Sequence, residues 1–130
     1  MEFVKYNNNP KQKITTDCVI RAISFATDKT WEDVYRDLVE LGIRNGLMVN
    51  DRKNWKTYLK KLGYNMEKMP KTLDNKRYTV EQFADEIAHK GWTYIVKITN
   101  HITVIKDKKL YDIWNCKNKC VGNYWIIYKI

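Results

Sequence analysis

The chain has 130 residues, 44% hydrophobic and 30% charged, with a net charge of +9 from 24 Lys+Arg against 15 Asp+Glu. That length supports one core rather than two, and 5 Gly with 2 Pro leave little room for disordered or collagen-like tracts. No apolar run reaches the roughly 18–20 residues that span a bilayer, and Met1 to Lys13 lacks the apolar centre of an export signal. The expectation is a single domain over residues 1–130, cytoplasmic and with no membrane partner.

The predicted elements begin with a helix over 17–27, where Val19, Ala22, Ile23 and Ala26 recur at helical spacing and Thr16 or Asp17 serves as N-cap. A second helix follows Thr30, with Trp31, Val34, Tyr35, Leu38 and Leu41 on one stripe and Gly42 as its stop. A third runs from Asp51 to Leu62, with Trp55, Leu59 and Leu62 inward and Arg52, Lys56 and Lys60 along another face. A fourth starts at Thr79, which forms a capping-box pattern with Gln82, and ends at Gly91. From Trp92 the period changes to two. WTYIVKI, HITVIKD, KLYDIWN and VGNYWIIYKI read as four strands, close enough in sequence to be antiparallel neighbours in a meander. Helices followed by strands make an α+β fold.

The positive charge is local: residues 51–80 carry nine basic against three acidic side chains. The excess is mostly Lys, which reads phosphate and bases less specifically than Arg. It implies at most a weak, salt-sensitive attraction to anions or nucleic acid. The sequence contains no helix-turn-helix, zinc-finger or ribonucleoprotein motif, so a basic nucleic-acid-binding module is the lesser alternative.

Three cysteines cannot all pair, and without an export signal they read as reduced thiols. Cys18 stands at the first turn of its helix, where unpaired N–H groups and the positive dipole end favour thiolate. His89, late on the fourth helix, reads as an exposed residue. His101 opens a strand at the mouth of the sheet and is the better base. A third group must orient its ring. If Asp107-Lys108 is a two-residue turn, Asp112 lies diagonal to His101 on the same face; with a three-residue turn, Asn115 takes that place. Cys116 and Cys120 read as incidental thiols, and no metal or cofactor is expected. The five tryptophans read as packing, with Trp114 near His101.

KQKITTDC sets Gln12 six residues ahead of Cys18, with Asp17 just before it. This resembles the papain-like cysteine peptidases, in particular the bacteriocin-processing peptidase domains of ABC exporters. DCVIRAISFAT, WEDVY and HITVIKDKKLYDIWN are similar to small papain-like proteins of phage and bacterial genomes, over most of the chain. The resemblance implies a papain-like fold in which a helix carrying Cys18 packs on a sheet carrying His101 and Asp112. It also implies that Gln12 is an oxyanion donor. The implied activity is amide or thioester hydrolysis of a protein or peptide substrate, a host protein included, in the host cytoplasm if the chain is phage-encoded. A catalytically silent papain-like protein that engages a host factor is the alternative.

Overall fold

The computed structural model describes all 130 residues. In chain order the elements are β1 (Glu2–Lys5), α1 (Cys18–Thr27), α2 (Trp31–Asn45), α3 (Arg52–Lys61), β2 (Met66–Glu67), α4 (Val80–Gln82) with a π-helical turn (Phe83–Ile87), β3 (Thr93–Ile98), β4 (His101–Lys106), β5 (Lys109–Asp112) and β6 (Tyr124–Tyr128). The fold is α+β, with the N-terminal helices against a sheet that bears His101 and Asp112.

The helix signals act locally, and the expected Thr79–Gln82 box is among them. Thr30 accepts from Asp33 N–H, Asp51 caps α3 through Lys53 N–H, and the Thr79–Gln82 capping box is closed from both sides. Two helix ends differ from expectation. α2 continues through Gly42 to Asn45, and Gly46, at φ 68°, turns the chain instead. Gly42 is needed for close approach: a Cβ there would lie 2.4 Å from the Leu47 carbonyl oxygen. The fourth helix is short. Ala88 N–H bonds back to Phe83 C=O at 2.9 Å, five residues away, and the Lys108 ammonium donates to the Asp85 and Ala88 carbonyls. That wide turn buries Phe83, Ala84 and Ala88, and the chain becomes extended at Ala88.

The sheet has six strands in the order β1-β5-β4-β3-β6-β2, rather than four in a simple meander. β3, β4 and β5 are successive antiparallel neighbours, but β6 crosses back to pair with the far edge of β3. The crossing segment is tied to the start of α4 by Val80 N–H on Lys119 C=O and Glu81 N–H on Lys117 C=O. β1 pairs in parallel with the free edge of β5, so the sheet is mixed.

Both faces of the sheet are covered. On one, Val19, Ile23, Val34, Leu38 and Leu59 of α1–α3 pack on Ile95, Ile102, Val104 and Trp125. On the other, Phe83, Ala84 and Ala88 meet Tyr94, Val96, Ile98, Ile105 and Leu110. Double coverage explains why TYIVKI is apolar almost throughout instead of alternating. No helix is long and apolar enough to cross a membrane.

Candidate functional site

The site forms where the first residue of α1 meets the end of the sheet. Cys18 opens α1, half-buried, and its N–H belongs to the first turn, which has no intrahelical acceptor. Asp17 occupies the N-cap position, but its carboxylate caps nothing. One oxygen accepts from Arg21 Nε at 2.8 Å; the other accepts from Asn9 Nδ2 and Trp31 Nε1, each at 3.0 Å. Asp17 is buried, and one helical turn on, Arg21 offers a stronger partner than a backbone amide. Trp31 therefore contributes a hydrogen bond as well as packing.

The β4–β5 turn sets the second half of the site. Asp107 and Lys108 both take left-handed backbone, φ 51° and 62°, and Lys106 pairs with Lys109. This is a two-residue turn of the kind that matches strand twist, formed here without glycine. Its register brings Asp112 diagonally beside His101, and His101 Nε2 meets Asp112 Oδ2 at 2.6 Å. Asn115 lies beyond the strand, exposed, and takes no part in the contact. Asp112 Oδ1 accepts from the backbone N–H of Ile113 at 2.7 Å and of Trp114 at 3.3 Å, and faces Arg21 Nη1 at 3.4 Å. β1 holds the backbone beneath: Lys5 pairs with Asp112, and Tyr6 N–H donates to its carbonyl at 2.9 Å. The carboxylate, 3% exposed, is fixed from three sides before any ligand arrives.

His101 is bonded to Asp112 through Nε2, and the Cys18 thiol, which lines the same groove as the ring, acts on it as a second partner. Burial alone would raise the Cys18 thiol. The hydrogen bond and charge of His101, with smaller help from Ile102 N–H and Arg21, outweigh it, and the thiol is lowered. Burial would lower His101, but the hydrogen bonds and charges of Asp112 and Cys18 raise it to about 9. Burial opposes ionisation of Asp112 as well, and His101 and Arg21 reverse it, so this carboxyl stays below its ordinary range. Asp17 is likewise lowered against burial by Arg21, Asn9 and Trp31. The charges alternate: Asp17, Arg21, Asp112, His101, Cys18.

A groove of about 910 Å³ opens over Cys18 and His101. Thr15, Thr16 and Asn50 form part of its rim, and Trp114, 43% exposed, stands edge-on to the His101 ring at 5.2 Å between centroids. Gln12 makes no hydrogen bond to Cys18, and its amide is engaged within its own loop. It is exposed, at φ 52°, and its amide nitrogen donates to the Asn7 and Asn9 carbonyls, each at 3.0 Å. The turn it closes directs the side chain back along its own loop. His89 lies elsewhere, exposed and against Trp92 at 4.3 Å.

Cys116 is the residue whose position the sequence conceals. It is 1% exposed, and its sulfur lies with a ring nitrogen of His101 and a carboxylate oxygen of Asp112 within 4.8 Å of one another. Burial and the Asp112 charge push this thiol up to about 12. The crossing after β5, exposed at Trp114 and Asn115, turns Cys116 inward beside the pair, and only its spacing of four residues from Asp112 hints at that. Imidazole, carboxylate and sulfur are also a donor set for a transition metal. Cys120 is exposed.

No protein-family model matches the chain, and comparison with curated proteins and with solved structures finds no match.

Proposed function

We propose that the protein is a cysteine-nucleophile hydrolase of amide or thioester bonds, papain-like in its chemistry, with Cys18, His101 and Asp112 as its triad. The observation that carries this is one imidazole with a buried carboxylate at 2.6 Å on Nε2 and, lining the same groove, a thiol at a helix N-terminus. In the resting site the proton passes from Cys18 to His101, giving a thiolate–imidazolium pair. The thiolate attacks the substrate carbonyl, and the imidazolium protonates the leaving amine or thiol. Water, deprotonated by His101, then hydrolyses the thioester formed on Cys18 and restores the thiol. Cys18 N–H is in position to stabilise the oxyanion. Asp112 holds the ring in the tautomer that the exchange requires.

The test is alkylation of each cysteine by iodoacetamide as a function of pH. Cys18 should react as a thiolate well below the ordinary thiol range, and His101→Ala should slow it at neutral pH by about 10²-fold. Labelling of Cys18 no faster than the exposed Cys120, or unaffected by His101→Ala, removes the hydrolase reading and leaves a silent binding protein of the same fold.

A second reading rests on the proximity of His101, Asp112 and Cys116. They would hold a zinc-like ion, with the thiol deprotonated by it. Against it stand the direct 2.6 Å contact between two of the three ligands and the protonated state of the third. Equilibrium dialysis against zinc decides: stoichiometric uptake lost in Cys116→Ser favours the metal centre.

A further inference from the structure

We propose that the groove over Cys18 selects a peptide bearing a carboxylate side chain within two residues of the bond attacked. This rests on the hydrolase reading and names its substrate class. The lining of the groove that holds Cys18 and His101 carries three cations besides Arg21. Arg52 and Lys53 come from the first turn of α3, and Lys97 from the end of β3. None of the three forms an ion pair. The Lys97 ammonium has only the Ile98 carbonyl, at 3.2 Å. The one acidic side chain on the lining, Asp51, caps α3 through Lys53 N–H and forms no ion pair with the three cations. The other lining cation, Arg21, already faces Asp17 and Asp112.

These cations also press on one another. Burial and then Arg52 and Arg77 lower the Lys97 ammonium, and burial with Arg52 and Lys97 lowers Lys56. Three like charges against a single carboxylate, beside a nucleophile, leave a net positive field, relieved by an anionic ligand. The field is compact, on one helical turn and one strand end. It suits one or two carboxylates on an extended segment better than a phosphodiester track, which needs charge along its length. Trp114, also on the lining and exposed, offers an aromatic surface for the apolar part of the same segment.

Two peptide aldehydes of equal shape test this, acetyl-Glu-Glu-glycinal and acetyl-Gln-Gln-glycinal. In each, the Cys18 sulfur bonds to the aldehyde carbon, the C=O π bond opens, and the thiol proton ends on the oxygen as a thiohemiacetal. At low ionic strength the Glu form should bind about tenfold tighter, a preference that fades toward unity near 0.5 M salt, roughly where charges are screened beyond a few Å. Arg52→Gln with Lys97→Gln should abolish the preference. Lys60→Gln with Lys61→Gln, equal in charge lost but off the groove, should retain it; melting curves report whether each variant is folded. Equal binding of the two aldehydes at low salt overturns the proposal, as does a short oligothymidylate that protects Cys18 better than a glutamate peptide of the same charge. The neutral iodoacetamide rate separates the two levels. Fast, His101-dependent alkylation without a Glu preference leaves the hydrolase standing and only the acidic substrate rejected.

Discussion

Two thiols flank the same histidine–aspartate pair, and their surroundings drive them in opposite directions. Cys18 heads a helix, half-buried, with the imidazole acting on it; its thiol is lowered. Cys116 is buried close to the pair, in a crossing otherwise largely exposed, and near the carboxylate; its thiol is raised to about 12. Distance to a histidine therefore does not set a thiol's acidity. The sign of the nearest charge and access to the helix N-terminus decide.

The largest expected effect that would break this contrast is at the carboxylate. Asp112→Asn keeps the shape but removes the charge that raises His101. Hydrolysis of an activated ester should fall by about 10²–10⁴-fold, and the pH at which Cys18 becomes reactive should rise. An unchanged rate would mean that Asp112 is merely structural. Arg21→Met comes next. It leaves Asp17 and Asp112 buried without their shared cation, a loss of about 3–5 kcal/mol in denaturant unfolding. The pH dependence of stability carries the same signature. Asp17 and Asp112 are lowered, so their contribution is present above about pH 4 and lost as pH falls through their folded values. His101 is raised to about 9, so its contribution is full below about 6.5 and lost as pH rises through about 9. Arg21→Met should flatten the acid side of that profile.

Smaller effects sharpen the comparison. Gln12→Ala should change turnover by less than the roughly 10²–10³-fold that loss of an oxyanion donor brings, because its amide is bonded to Asn7 and Asn9. A loss of that full size would show that the loop before Cys18 rearranges when substrate arrives. The smallest expected change is Cys116→Ser: Cys18 alkylation keeps its pH profile, since the charge on His101 comes from Asp112 and Cys18. A shifted profile would tie the buried sulfur to the chemistry.

The helices were legible because their signals are local. Thr30, Asp51 and the Thr79–Gln82 box cap where they stand, and the apolar stripe of α2 is complete in one segment. The hairpin was half legible. Asp107-Lys108 lacks the glycine that marks such turns, so the sequence left Asp112 and Asn115 open, and left-handed backbone at both positions selected Asp112. β1 and the return of β6 to β3 were not legible, since each is a pairing with distant chain. Gly42 reads as a helix stop, yet its role is to let Leu47 approach. Asp17 reads as a cap, yet Arg21, Asn9 and Trp31 claim its oxygens.

By itself the sequence determined an α+β chain with Cys18 at a helix start and His101 at a strand start, because capping and periodicity are properties of neighbouring residues. Tertiary structure alone decided which groups surround them: Arg21 behind Asp112, Cys116 beneath the pair, Gln12 turned away, Lys97 set against Arg52. Those juxtapositions depend on strand register and on chain crossings, where a shift of one residue reverses a side chain and no local pattern records the outcome.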